Sequence, residues 1–256
     1  MSGKANDILS YWEDRAISKS SGKLVTHRDA YQVSIEIKTI LDLLNRSDTL
    51  LDIGCGNGFA TSGYARKCRK VTGVDYSANM IKSAKAAFRR DNLDFKRSDV
   101  LNIGTIGRSF SAAVSTRCLI NLTNWRDQKR AIINIHGILG RGGRLILVEG
   151  IKEGRRNLNV LRNRIGLPSM PGVWHNLDFD YARLMPFLKK HFIVRKEIRF
   201  GVYDVLTRAY YPASIYPEEP RYNTSYHSCA EKLHFLNNDG AFSEYSREIC
   251  LELIKK

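Results

Sequence analysis

An apolar run that breaks into three alternating glycines, LLDIGCGNGFAT at residues 50–61, constrains most strongly what this chain can fold into. Leu50, Leu51 and Ile53 predict a buried strand, and the residues after Gly58 predict a helix. A strand that passes into a helix through glycines presents backbone N–H groups to a ligand. The stretch therefore predicts a ligand-binding turn at the end of a strand.

The following sequence alternates predicted strands and helices. Apolar runs predict further strands at 70–77, 93–99, 110–116 and 140–150, with helices at 57–68, 78–89 and 125–139 between them. This rhythm predicts an α/β fold with a doubly wound, mostly parallel seven-stranded sheet and helices on both faces. We place strands six and seven at 192–200 and 202–210, with an insertion after strand five and a C-terminal helical tail.

Charge and cysteine content limit the class of protein. The net charge is +15, and residues 51–200 alone carry +17, which favours anionic partners. Five scattered cysteines without a CxxC pair favour reduced thiols in a cytoplasm. No apolar stretch approaches the ~20 residues of a membrane span, and the first residues lack the apolar core of a secretory signal. We therefore expect a cytoplasmic protein with no membrane span.

The glycine spacing distinguishes between three kinds of ligand loop. A phosphate-binding P-loop needs a Gly-Lys-Ser/Thr sequence that does not follow Gly54. A dinucleotide fingerprint needs glycine where Phe59 stands. The spacing D-x-G-x-G-x-G, which starts at Asp52 and ends at Gly58, instead resembles the first motif of the class I S-adenosylmethionine (SAM) methyltransferases.

Four further segments extend this resemblance over about residues 47–150. They are Asp75, RSDVLNI (97–103), STRCLINLTNW (115–125) and LGRGGRLILVE (139–149). The resemblance implies that Asp75 holds the ribose hydroxyls, that Asp99 accepts a hydrogen bond from the adenine amino group, and that Val100 contacts the adenine. It implies SAM as cofactor, S-adenosyl-L-homocysteine (SAH) as its product, and no metal. The predicted cofactor residues are Arg28, Asp52, Gly54, Cys55, Gly56, Gly58, Asp75, Tyr76, Met80, Ser98, Asp99, Val100 and Thr116.

The resemblance also suggests how the chain is divided. We expect residues 1–46 to form an N-terminal helical segment that closes over the cofactor. Residues 47–210 would form the SAM-binding domain, within which 151–190 builds the acceptor pocket. Residues 211–256 would form an aromatic and helical tail packed on the same domain.

The acceptor is less constrained than the cofactor. The Asp/Asn-Pro-Pro-Tyr/Phe signature of methyltransferases acting on base amino groups is absent, because Ser115-Thr116-Arg117-Cys118 occupies that place. No Pro-Cys pair supports a cytosine-C5 mechanism. The second half more loosely resembles methyltransferases found among bacterial surface-polysaccharide enzymes. The segments that support this are TRCLINL (116–122), LNVLRNRIGLP (158–168), WHN (174–176) and VLTRAYYP (205–212).

This looser resemblance implies O-methylation of a sugar or sugar-phosphate hydroxyl in surface-glycan biosynthesis. Aromatic rings would stack on the sugar, and arginines would hold an anionic group of the acceptor. Two other functions stay open: methylation of RNA, which the basic stretch RRNLNVLRNR (155–164) favours, and methylation of another small molecule. A SAM-binding partner protein without chemistry is a third interpretation, against which the intact motifs speak.

Three residues are predicted to act on the acceptor. A neutral histidine is a suitable base at cytoplasmic pH. His175 lies in the region where the acceptor pocket is expected, and we predict it to be the general base, with His27 as the alternative. Arg117 is predicted to orient the acceptor, while Arg28 would pair with the cofactor carboxylate. The competing interpretation is that these side chains only stabilise loops or lie at the surface.

Overall fold

A seven-stranded sheet forms the centre of the computed structural model, which describes residues 3–18, 22–107, 109–236 and 240–256. The strands are β1 (Thr49–Ile53), β2 (Lys70–Asp75), β3 (Leu93–Arg97), β4 (Phe110–Thr116), β5 (Leu139–Gly150), β6 (Phe192–Arg199) and β7 (Glu248–Lys255). Their order is β3-β2-β1-β4-β5-β7-β6; β7 is antiparallel to β5 and β6, and the other pairs are parallel. The predicted doubly wound, mostly parallel seven-stranded sheet is confirmed.

Helices connect the strands and flank the sheet. They are α1 (Gly3–Ser18), α2 (Ala30–Leu43), α3 (Phe59–Tyr64), α4 (Ala78–Ala87), α5 (Trp125–Ile138), α6 (Lys152–Arg164), α7 (Tyr181–His191), α8 (Gly201–Val205), α9 (Tyr211–Ile215) and α10 (Ser225–Leu236). Polar side chains fix where helices start: Asp29 accepts the N–H groups of Tyr31 and Gln32 at α2, and Ser77 accepts that of Met80 at α4. Within the described ranges, no helix has the length and apolar character that a bilayer crossing requires.

Two apolar cores lie on the two faces of the sheet. One contains buried residues of α5 and α7 packed on the strands, such as Ile132 and Leu184. The other contains residues of α2, α3 and α10, such as Ile40, Tyr64 and Ala230. Because both faces are covered, the central strands are apolar on both sides, as their continuous hydrophobic runs predicted.

The seventh strand lies elsewhere than predicted. Residues 202–210 are helical, in α8 and a following π-helical turn (Leu206–Tyr210), and the Thr207 hydroxyl donates to the Tyr203 carbonyl one turn earlier. β7 comes instead from the tail that was predicted to be helical. It lies between β5 and β6, and Glu248–Leu253 are buried on both of its faces. Such a short apolar run does not distinguish strand from helix.

Candidate functional site

The glycine loop joins β1 to α3 at the carboxyl edge of the sheet. The strand order reverses between β1 and β4, and ligands of doubly wound sheets bind in the crevice at that point. Gly54 and Gly56 have φ of 70° and 52°, in the left-handed region. A Cβ on Gly54 would lie 2.5 Å from Cys118 Sγ, and one on Gly56 would lie 2.9 Å from Thr26 Cγ2. The loop is therefore packed between the turn after β4 and the segment that precedes α2.

Two buried aspartates hold this loop. Asp75, at the end of β2, accepts the N–H groups of Gly56 and Ser77 at 2.9 Å each. Burial raises the pKa of Asp75 to about 6. Asp52, at the end of β1, accepts the Thr61 hydroxyl at 2.6 Å, and burial raises the pKa of Asp52 to about 7. Each carboxyl has four lone-pair sites, so Asp75 retains sites for ligand hydroxyls.

A large cavity, of about 980 Å³, adjoins the loop. Its walls include the predicted acceptor-site residues His27, Arg117 and His175 and these predicted cofactor residues: Arg28, Asp52, Gly54, Cys55, Gly56, Asp75, Tyr76, Met80, Ser98, Asp99, Val100 and Thr116. Gly58 is outside this wall. It begins α3 with φ 79°, and a Cβ there would lie 2.7 Å from Phe95 Cζ, so its backbone conformation and packing require glycine.

Buried polar atoms without a hydrogen-bond partner concentrate on this cavity. In the part of the chain that the structure describes there are seven, and all belong to residues that line the cavity. They are Glu36 Oε1, Tyr76 OH, Thr116 Oγ1, Arg117 Nε, His175 Nδ1, Asp178 Oδ1 and Glu248 Oε2. Buried polar groups in folded proteins are normally hydrogen-bonded. Their clustering on one cavity therefore indicates a binding site for polar ligands.

The N-terminal segment lies against the loops that surround the cavity. Glu13 in α1 accepts the N–H groups of Ala78 and Asn79 at the start of α4, at 2.8 and 3.0 Å. Asn57, between the loop glycines, donates its side-chain N–H to the Gly22 carbonyl at 3.0 Å. α1 and the residues before α2 therefore adjoin the strand ends where the cofactor residues were predicted.

His175 sits among aromatic rings contributed by two parts of the chain. Its ring centroid lies 4.7 Å from that of Tyr11, 5.4 Å from that of Trp12 and 5.2 Å from that of Trp174. The side chain is buried, and burial lowers its pKa to about 4, with Arg15 and Lys4 lowering it further. His175 is therefore neutral at physiological pH.

The other predicted side chains before α2 differ in their surroundings. His27 Nδ1 lies 3.1 Å from the N–H nitrogen of Asp29 and 3.2 Å from its carbonyl oxygen. Burial, with Arg117 and Arg208 adding to it, lowers the pKa of His27 well below its ordinary value. Arg28 is exposed and lines the cavity.

Arg117 directly follows β4 and is ion-paired inside the protein. Its φ of 50° is unusual for a residue with a side chain. Its Nη2 lies 3.3 Å from Oε2 of Glu36, a buried residue of α2. Sequence reasoning missed Glu36, Asp178 and Glu248, although Glu36 stands out as a lone carboxylate between Ile35 and Ile37 in an amphipathic helix.

The thiols near the loop are not suited to nucleophilic chemistry. Burial raises the pKa of Cys55 and of Cys118 well above the ordinary value, and neighbouring carboxylates add to the effect. The thiolate is the reactive form of cysteine, so these two side chains stay protonated and act in packing.

Comparisons with known proteins agree on the nature of the fold. Residues 51–147 match a family model described as a methyltransferase domain. An uncharacterized methyltransferase of Mycobacterium tuberculosis is 25% identical over 147 residues, which cover 57% of this chain and 66% of that protein. The alignment thus spans just under two thirds of that relative's length.

Two solved structures resemble almost the whole chain. A Haloferax volcanii methyltransferase in complex with the Trm112 activator has a TM-score of 0.63 at 16% identity, covering 97% of this chain and 96% of that one. The magnesium protoporphyrin IX methyltransferase of Synechocystis, solved with SAH, has a TM-score of 0.59 at 15% identity, covering 96% and 94%. At such identities the likeness concerns the fold. Residues 51–147 therefore carry a methyltransferase domain, and the strand order and the glycine loop between β1 and α3 are those of the fold shared by SAM-dependent methyltransferases.

Proposed function

We propose that the chain transfers a methyl group from SAM to a hydroxyl oxygen of a sugar or sugar phosphate. The observation that carries the proposal is the cavity beside the glycine loop, whose wall combines aromatic rings, arginines and buried unpartnered polar atoms. Three of those atoms are carboxyl oxygens, which accept hydrogen bonds when ionised. A polyhydroxylated acceptor supplies the matching donors.

The residues at the strand ends fit SAM. The Asp75 carboxylate suits the two ribose hydroxyls, and it is held in place by two backbone N–H groups. Asp99 begins the 3-10 turn after β3 and accepts the Leu101 N–H at 2.9 Å, with apolar Val100 beside it to contact the adenine. The orphaned hydroxyl of Tyr76, next to Asp75, indicates a polar ligand at this place. We propose that Arg28 pairs with the carboxylate of the methionine moiety.

When bound, SAM supplies an electrophilic methyl group on a sulfonium sulfur, which keeps the bonding electron pair on transfer. The protein then has to align the acceptor oxygen and manage its proton. Arg117 directly follows β4 and is ion-paired with Glu36 of α2. We propose that Arg117 orients the acceptor. Arg126, Arg130 and Arg155 also line the cavity and suit an anionic group on the acceptor.

His175 and His27 were predicted from the sequence as the general base and its alternative. Both are on the cavity wall, and both are neutral at physiological pH. A pKa of about 4 makes the His175 imidazole a weak base, however, and the Nδ1 of His27 is already engaged by the Asp29 backbone. The aromatic rings around His175 give it a second use, which is to hold α1 against the loop that precedes α7.

The alternatives differ in the acceptor. The fold neighbour from Synechocystis is named for a porphyrin substrate, so another ring-shaped small molecule is a second candidate. RNA is favoured by the +17 charge of residues 51–200. In α1, the Trp12 indole donates a hydrogen bond to Asn121 in the turn after β4. This contact beside the cavity favours a small acceptor over an RNA helix.

The experiment is an assay with radiolabelled methyl-SAM on sugar nucleotides, glycans, ring-shaped small molecules and total RNA in parallel. We expect base-stable label in a sugar product, with Asp75→Ala as the inactive control. Label in RNA, together with a steep salt dependence of heparin binding, would replace the proposal by RNA methylation. Label only in another small molecule would support methyl transfer but overturn the assignment of a sugar as the acceptor.

A further inference from the structure

Two glutamates that no sequence motif singled out meet in the cavity wall. Glu36 belongs to α2, and Glu248 begins β7 opposite Gly150 at the carboxyl end of β5. Their exposed fractions are 1% and 7%. Both line the cavity, and the two carboxyls are within hydrogen-bonding reach of each other. This places a carboxyl pair at the edge of the sheet where ligands bind.

One oxygen of each carboxyl is fixed by a neighbouring side chain. Glu36 Oε2 pairs with Arg117 at 3.3 Å, and Glu248 Oε1 accepts the side-chain N–H of Gln32 at 2.7 Å. The oxygen of Gln32 in turn accepts from Arg208 at 3.2 Å and Arg247 at 3.1 Å. Glu36 Oε1 and Glu248 Oε2 have no donor among the described residues. The network thus orients the pair and leaves one oxygen of each carboxyl to hold a proton.

The surroundings make Glu36 a stronger base than an ordinary glutamate. Burial raises the pKa of Glu36 well above its usual value, the charge of Glu248 raises it further, and Arg117 opposes both. A general base works best when its pKa lies near the operating pH.

We propose that the Glu36–Glu248 carboxyl pair receives the proton of the acceptor hydroxyl, an assignment that rests on the proposed O-methyl transfer. The O–H bond of the acceptor breaks, its proton passes to a carboxylate oxygen of the pair, and the acceptor oxygen uses the released electron pair to bond the methyl carbon. The methyl–sulfur electron pair stays on sulfur, and SAH leaves neutral at that atom. Arg117 fixes the position of Glu36 through their ion pair and orients the acceptor beside it.

The charged and titratable groups around the pair come from every element packed on it. They are His27 and Asp29 before α2, Tyr64 in α3, Arg117 after β4, Asp204 in α8, Arg208 in the π-helical turn, Arg247 before β7 and Cys250 within it. Asp29 is paired with Arg208, and Asp204 with Arg247 at 2.6 Å, so these charges are largely compensated. Arg117 is the cation that acts directly on Glu36.

The test uses Glu36→Gln and Glu248→Gln in the full chain, with Glu231→Gln as a matched control. Glu231, on α10, accepts hydrogen bonds from Ser34 and Lys38 of α2 and does not line the cavity. For each folded variant, calorimetry gives SAH affinity, and ¹³C NMR of labelled glutamate carboxyls gives the titration of the pair with SAH bound. The sugar that is methylated in the assay above gives the pH–rate profile.

We expect SAH affinity within threefold of wild type in all variants and a rate loss of about 10²–10⁴ in Glu36→Gln. In Glu248→Gln the rising limb of the pH–rate profile should move to lower pH, because the carboxylate that raises the pKa of Glu36 is gone. Wild-type NMR should show Glu36 titrating above the usual pH range of a glutamate, and the control should match wild type. If Glu36→Gln does not fold, the pH–rate profile of Glu248→Gln and the NMR titration of wild type test the assignment instead.

Three results would overturn the assignment alone: sugar methylation within threefold of wild type in both variants, titration of Glu36 at an ordinary glutamate pKa, or SAH affinity that falls with the rate. The third result would assign the pair to the cofactor. If wild-type protein binds SAH but labels no sugar hydroxyl, the proposed function fails, and the assignment falls with it.

Discussion

The indole N–H of Trp12 donates a 3.0 Å hydrogen bond to Oδ1 of Asn121 and so joins α1 to the turn after β4, 109 residues away in sequence. Tyr11, the neighbour of Trp12, packs on His175 and Trp174 from the loop before α7. α1 therefore contacts two separate parts of the cavity wall. We therefore expect these contacts to slow the passage of a ligand on this side.

The first prediction concerns this contact. Trp12→Phe keeps an aromatic ring but removes the donor, and a hydrogen bond contributes about 0.5–1.5 kcal/mol net. We expect SAH to dissociate faster and its affinity to fall by up to about tenfold, as measured by calorimetry and stopped-flow fluorescence. Trp125→Phe, which alters a ring in α5 outside the cavity wall, is the control. Unchanged SAH kinetics in folded Trp12→Phe would show that α1 does not retain the cofactor.

The second prediction concerns Asp75, whose pKa burial raises to about 6. The ionised carboxylate accepts hydrogen bonds more strongly than the protonated acid. We therefore expect SAH affinity to be constant above about pH 7 and to decrease as the pH falls through about 6. Asp75→Ala should weaken binding by about 1–3 kcal/mol. Asp75→Asn should bind weakly with a flat profile, and calorimetry that shows the wild-type profile in Asp75→Asn would exclude Asp75 as its origin.

The third prediction separates the histidines from the carboxyl pair. A true general base loses about 10²–10⁴ in rate on replacement while cofactor binding stays intact. Because burial lowers the pKa of His175 to about 4, we expect His175→Ala and His27→Ala each to lose less than about tenfold in turnover. Initial rates with the methylated acceptor and SAH calorimetry provide the two readouts. A hundredfold loss in His175→Ala at unchanged SAH affinity would restore His175 as the base.

The fourth prediction concerns stability. Burial raises the pKa of Asp52 to about 7, above the value of about 3.9 in an unfolded chain. The folded state thus binds more protons between these values, so the contribution of Asp52 is fully present below about pH 4 and is lost as pH rises through about 7. Asp52→Asn should remove this dependence. Denaturant unfolding of both proteins across this range should give free energies whose difference changes with pH; parallel curves would contradict the assignment.

The sequence by itself determined the half of the molecule that local patterns describe. The apolar run of β1, the glycines after it and the acids at the ends of β2 and β3 are close in sequence to the elements they terminate. In a parallel sheet the carboxyl ends of the strands share one edge, which brings Asp52, Asp75 and Asp99 together. The cavity wall contains all three.

Only the tertiary structure decided what lies opposite the cofactor residues. β7 is recruited from the tail into the sheet, where burial on both faces hides its strand character. Gln32 and Glu248 are 216 positions apart, and no spacing predicts that they bond. Glu36 meets Glu248 because α2 packs beside the sheet edge at which β7 begins. Contacts between residues so far apart in sequence depend on how helices and strands pack, and local sequence patterns do not predict that packing.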